Sequence, residues 1–111
     1  MTTWYKEYLD SWATDDVEAV ASWFTDDIVY EDTTLGHIAT GPAQIRNFIK
    51  GSFTKAPGMT FEFVSGVDNG HVFAIEWIMQ PVALRGCSIG SMRDGKIYSQ
   101  QDYWNGKVFD L

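Results

Sequence analysis

The feature that most constrains this chain is a change in the spacing of its apolar residues near the middle. Before Pro57 they recur mainly at helical spacing; from Met59 onward they fall into β-rich runs broken by turn residues. Trp4, Tyr5, Tyr8, Leu9 and Trp12 make one helical face. Asp15, followed three residues later by Glu18, reads as a capping box that opens a second helix with Val17, Val20, Ala21 and Phe24 inward. Gly41-Pro42 opens a third, with Ile45, Phe48 and Ile49 as its buried stripe. Between the last two, Ile28–Asp32 reads as a strand, and 36–40 as a loop or short hairpin. Four strands follow, Met59–Val67, Val72–Met79, Leu84–Arg93 and Lys96–Asn105, and Asp94-Gly95 marks the tightest hairpin. Helices first and strands later predict an α+β fold: a curved antiparallel sheet wrapped around three N-terminal helices, with an apolar pocket. Gly86 and Gly90 can permit the bend.

Composition sets what such a fold can hold. Its 111 residues are expected to form one domain, 1–111. Five Trp, five Tyr and seven Phe are many for this length, enough for a bulky core and for pocket walls. A formal net charge of −7 argues against nucleic acid and against polybasic membrane contact. The lone Cys87 excludes an internal disulfide and a Cys-rich zinc site. His37 and His71 have no ligand spacing and are expected to be solvated, so neither a metal nor another cofactor is implied. With no membrane segment and no basic leader, the chain is expected to be cytoplasmic.

Strand parity narrows the candidate chemistry. Ile28, Tyr30 and Asp32 share one side of their strand. A two-residue turn at Asp94-Gly95 pairs Arg93 with Lys96. Counting back, Ser88 faces Gln101, Cys87 faces Asp102 and Gly86 faces Tyr103. A tight turn at 81–82 sets Glu76 opposite Cys87. This register predicts a row of Glu76, Cys87 and Asp102, near Arg85, which a bulge would turn over. Each carboxylate also has a plainer reading: Asp32 as a turn residue, Glu76 and Asp102 as paired or outward-facing acids. Tyr8 read plainly is a core aromatic, and Trp77 and Met79 are expected on the outer face of the sheet.

These residues also carry a family resemblance. Tyr8-Leu9-Asp10-Ser11-Trp12, Asp16-Val17-Glu18-Ala19-Val20, Phe24-Thr25-Asp26-Asp27, Tyr30-Glu31-Asp32 and Gly41-Pro42-Ala43-Gln44-Ile45 resemble the first half of bacterial ketosteroid isomerases. Asp94-Gly95-Lys96-Ile97 and Asp102-Tyr103-Trp104 resemble both that family and the SnoaL-like polyketide cyclases, all of the nuclear-transport-factor-two-like cone fold. The resemblance implies Asp32 as general base, Tyr8 as hydrogen-bond donor to a developing enolate oxygen, and Asp102 as a second acid/base. The isomerase's protonated aspartic acid falls on Ser88, a departure that weakens the steroid assignment. Limonene epoxide hydrolases are similar at Tyr30, Asp32, Glu76 and Asp102, but Ala74 stands where their arginine belongs.

The expectation is therefore a small pocket enzyme moving protons on a hydrophobic carbonyl compound, steroid-like or polyketide-like. Asp32, Tyr8 and Asp102 would be catalytic; Ser88, Tyr30, Glu76 and Trp104 would contact substrate. The expected partners are a small hydrophobic ligand and a second copy in a homodimer. The alternative is a module of the same fold that binds or dimerises without catalysis; an epoxide hydrolase or dehydratase ranks below both.

Overall fold

The computed structural model describes residues 4–109, apart from the side chain at position 108. Helices α1 (Trp4–Ser11) and α2 (Val17–Ala21) lead into strands β1 (Phe24–Asp32) and β2 (His37–Thr40). Helix α3 (Gly41–Lys55) follows, then β3 (Thr60–Asp68), β4 (Val72–Gln80), β5 (Leu84–Arg93) and β6 (Lys96–Trp104), with a short 3-10 turn at Gly106–Phe109. The six strands form one sheet in the order β2-β1-β6-β5-β4-β3. The expected α+β cone is what the chain forms.

Local chemistry explains the helix starts. Asp16, not Asp15, caps α2, its carboxylate accepting from the N–H groups of Glu18 and Ala19. Asp15 stands just outside the helix with φ +56°, the left-handed region that Asp tolerates in turns. At α3 the Gln44 side chain reaches back to accept from the N-cap Thr40 N–H at 2.9 Å, and Pro42 sits in the first turn. Ile45 and Ile49 of α3 and Val20 of α2 then meet Ile28, Ile75 and Ile97 of the sheet in a fully buried core.

Several expectations change in the sheet. Of the 36–40 segment, His37–Thr40 form a strand, β2, that makes a hairpin with β1 after a turn ending at Gly36, and β1 starts earlier than expected, at Phe24. β1 also lies parallel to β6 across about seventy residues of sequence, the one parallel pair among the described residues. A bulge between Ser91 and Met92 moves the β5–β6 pairing by one residue. Arg93 still pairs with Lys96, but Ser88 now faces Asp102, Cys87 faces Tyr103 and Gly86 faces Trp104. One extra residue on a strand turns the side chains beyond it to the other face. The expected row of Glu76, Cys87 and Asp102 is therefore replaced: Glu76 and Cys87 share a row with Tyr103 instead.

Trp77 and Met79 are corrected too. They continue the inward parity of Phe73 and Ile75, so Trp77 is buried and Met79 lines the cavity. Gly86 and Gly90 of β5 make room for neighbouring rings. A Cβ at Gly86 would stand 2.5 Å from the Trp77 ring, and one at Gly90 2.7 Å from Phe73.

Candidate functional site

The sheet curls over a cavity of about 1050 Å³, closed on its other side by α1 and α3. Its wall is a connected series of rings. Trp12 lies 6.3 Å from Tyr30 and 6.4 Å from Phe61, Tyr30 lies 4.9 Å from Phe48, and Phe61 lies 4.9 Å from Trp77. The excess of aromatics thus serves the core and this wall together.

Two carboxylates enter the cavity side by side. Parallel pairing makes Asp32 of β1 and Asp102 of β6 register partners, and the β5–β6 register sets Ser88 next to Asp102. Neighbouring strands lie about 4.8 Å apart, so the three side chains form one short row on the inner face. The same parallel register pairs Tyr30 with Gln100 one row away.

Asp102 is buried and wholly held by neutral donors. Tyr30 Oη donates to its Oδ2, while Ser88 Oγ (2.7 Å) and Gln100 Nε2 (2.8 Å) donate to its Oδ1. Ser88 in turn accepts from Trp77 Nε1 at 3.0 Å. Burial raises the Asp102 pKa to about 6; bonds from Tyr30, Gln100 and Ser88 pull it down, and the neighbouring Asp32 charge adds to the rise. Desolvation wins, and no cation among the described residues is paired with the group. Tyr30 and Tyr8 are raised as well, by burial first and then by the Asp102 charge, so both hydroxyls keep their protons.

Asp32 is held differently. Its Oδ1 accepts from the Leu35 N–H at 3.1 Å and from Trp104 Nε1 at 2.9 Å. Its Oδ2 has no hydrogen-bond partner among the described residues, and the residue is 7% exposed at the cavity. Tyr8 donates its proton to Gln100 Oε1 at 2.9 Å rather than holding it free for a ligand.

The structure thus gathers six of the seven residues singled out from sequence, Tyr8, Tyr30, Asp32, Ser88, Asp102 and Trp104, around one cavity. Glu76 does not join them. The bulged register leaves it on the opposite face, where it pairs with Arg85 at 3.0 Å and accepts from Ser65. Gln100 was missed, although it shares the face of Asp102 and Trp104 by simple alternation, and it is the group that joins Tyr8 to Asp102. His37, expected to be solvated, is exposed but stacks on Phe48 at the cavity edge, 5.5 Å between centroids. Among the described residues no cluster of three His, Cys, Asp or Glu could hold a metal ion, and no helix is long and apolar enough to cross a membrane.

Fold and site together define a cone-shaped α+β protein with a mostly apolar, aromatic-rich pocket for a small ligand. The chain belongs to the SnoaL-like domain family, whose model matches residues 5–100. Among solved structures it is similar to a protein of ketosteroid isomerase-like fold from Catenulispora acidiphila, obtained in complex with trimethylamine. That protein is 20% identical, over 93% of this chain and 85% of its own, with a TM-score of 0.84. A SnoaL-like protein of unknown function from Burkholderia thailandensis is 14% identical, over 96% and 99%, with a TM-score of 0.81. A protein provisionally described as a polyketide cyclase, from Sinorhizobium meliloti, is 18% identical, over 93% and 95%, with a TM-score of 0.77. At these identities the likeness shows the shared fold. None of the curated proteins matches the chain.

Proposed function

We propose that the protein is an enzyme that moves protons on a hydrophobic carbonyl compound, as a ketosteroid-type isomerase or a polyketide-type cyclase does. One observation carries this reading: Asp32, with a free oxygen, stands beside Asp102, whose pKa is lifted to about 6, in an aromatic cavity. Two carboxylates in unequal surroundings divide into an acid and a base.

Asp32 Oδ2 takes the proton from the carbon beside the carbonyl, while the Leu35 and Trp104 N–H groups steady its other oxygen. Asp102 acts in its neutral form. A proton on Oδ2 reverses its bond with Tyr30, so the Tyr30 hydroxyl proton turns toward the carbonyl oxygen as negative charge grows there. The acid absent at Ser88 is thereby supplied from the adjacent strand, with Ser88 as its hydrogen-bond partner. Tyr8 supports this end from behind, by keeping Gln100 turned so that its N–H faces Asp102. The enolate then either regains the proton from Asp32 at another carbon, or closes onto a second carbonyl.

Turnover of a β,γ-unsaturated ketosteroid and of an aldol-prone diketone tests the reading. Asp32→Asn and Asp102→Asn should each lose about 10²- to 10⁴-fold, the usual worth of a positioned acid or base. Tyr8→Phe should lose less, about tenfold, from loosening one hydrogen bond. The rate should fall as pH rises through about 6, because neutral Asp102 is the working form. A rate that rises through that range makes Asp102 a base instead. Equal rates in all variants, or none in the wild type, leave the rival of a pocket that binds without reacting.

A further inference from the structure

Among the described residues, no ion pair neutralises the carboxylates of the cavity. Its two carboxylates, Asp32 and Asp102, are both buried, and the three ion pairs among the described residues all lie elsewhere: Arg46–Glu18, Arg85–Glu76 and Arg93–Asp27. The basic side chains bordering the cavity are Lys55, in the last turn of α3, and His37, whose ring lies on Phe48; neither pairs with the acids. A charge removed from water and left without a partner is costly. Asp102 offsets part of that cost with three neutral donors, but Asp32 Oδ2 has no donor among the described residues, and Asp32 lines the cavity. Around the cavity lie the rings of Trp12, Tyr30, Phe48, Phe61 and Trp77. Aromatic faces attract cations and tolerate the alkyl groups of a substituted ammonium.

From this combination we propose that the pocket takes hydrophobic amines in their ammonium form, with the N–H donated to Asp32 Oδ2 and the alkyl body against the aromatic wall. The ligand supplies the missing positive charge and the missing donor at once. A charge-assisted hydrogen bond in such a site exceeds what a neutral ligand of the same shape can form. The proposal concerns the same site as the proton-transfer reading and rests on its placement of a free acceptor at Asp32. An ammonium N–H would then occupy the position of the reacting C–H, so such amines should compete with a carbonyl substrate. Binding does not require turnover.

Quenching of tryptophan fluorescence reports occupancy directly, because Trp12, Trp77 and Trp104 line the cavity. The probes are N,N-dimethylbenzylamine, benzyl methyl ether and phenylacetate: a cation, a neutral compound and an anion on one aromatic body. At about pH 7.5 the amine is protonated, and it should bind at least about tenfold tighter than the ether, with the anion weakest. Asp32→Asn should bring amine and ether to within about threefold of each other. Equal binding of amine and ether by the wild type overturns the proposal without any variant, as does an Asp32→Asn protein, folded by circular dichroism, that keeps the full preference. Amine selectivity without ketone turnover removes the catalytic reading alone; ketone turnover without amine selectivity removes this one alone.

Discussion

Asp102 and Glu76 sit in adjacent rows of the same sheet, yet on opposite faces, and the contrast shows what a face does to a carboxylate. Glu76 lies on the outer side, with Arg85 at 3.0 Å and water within reach. Such exposed pairs contribute little to stability. Asp102 lies on the inner side, with no cation, three neutral donors and a pKa raised by burial to about 6. The residue types are nearly equivalent. Chemistry differs because one carboxylate is solvated and paired, while the other is kept from water and left able to gain a proton near neutrality.

The sharpest way to break this comparison is to neutralise both acids. Asp102→Asn should cost about 10²- to 10⁴-fold in turnover, whereas Glu76→Gln should leave the rate within about twofold. Equal losses in a steady-state assay would mean that the face does not matter.

Next in size is the pH dependence of stability. An unfolded aspartate titrates near 3.9, so the folded state of this chain holds the Asp102 proton more tightly. A raised folded pKa contributes stability that is fully present below about pH 4 and is lost as pH rises through about 6. The loss amounts to as much as about 3 kcal/mol over that window. Urea denaturation at a series of pH values should show this slope in the wild type and a flatter one in Asp102→Asn. Glu18 and Asp27, whose pKa values are lowered mainly by hydrogen bonds (from Arg46 to Glu18, from Thr25 to Asp27), act in the opposite sense at lower pH.

Packing on the inner face gives the third test. Gly86→Ala places a methyl group against Trp77 and should destabilise by about 1–3 kcal/mol, the usual cost of overpacking. Gly51→Ala in α3, where nothing lies within 4 Å, should instead stabilise by about 0.5–1 kcal/mol. A matching thermal shift for the two would show that the Trp77 ring does not rest on β5. The smallest effect belongs to the outer ion pair: Arg85→Ala should change unfolding free energy by less than about 1 kcal/mol.

Much of the fold was readable because it rests on local signals. Helical spacing placed the helices, and Asp94-Gly95 placed the last hairpin, since each depends on neighbours in sequence. Tyr30 and Asp32 were assigned to one face by parity, which holds within any single strand. Carried across strands, parity held between β4 and β5, where Glu76 does face Cys87, and failed between β5 and β6. The bulge opposite Ser91/Met92 leaves Tyr98 of β6 as the extra residue and has no strong signature in Ile-Tyr-Ser, so Asp102 was set beside Cys87 rather than Ser88. Gln100 drew no attention because a lone amide is unremarkable until its partners are in place.

What the sequence determined by itself is a curved sheet over helices, rich in aromatics, with acids at the right strand positions to enter a pocket. Tertiary structure alone decided which acids share that pocket. Asp32 meets Asp102 through a parallel pairing of β1 with β6, strands separated by four others in the chain. No local preference encodes that contact; it follows from how the whole sheet closes around its core. Glu76 was excluded by the same closure, through its strand's parity relative to the bulged β5–β6 ladder. Side-chain periodicity sets a residue's face within its own strand, but long-range register sets its company, and the company sets the pKa.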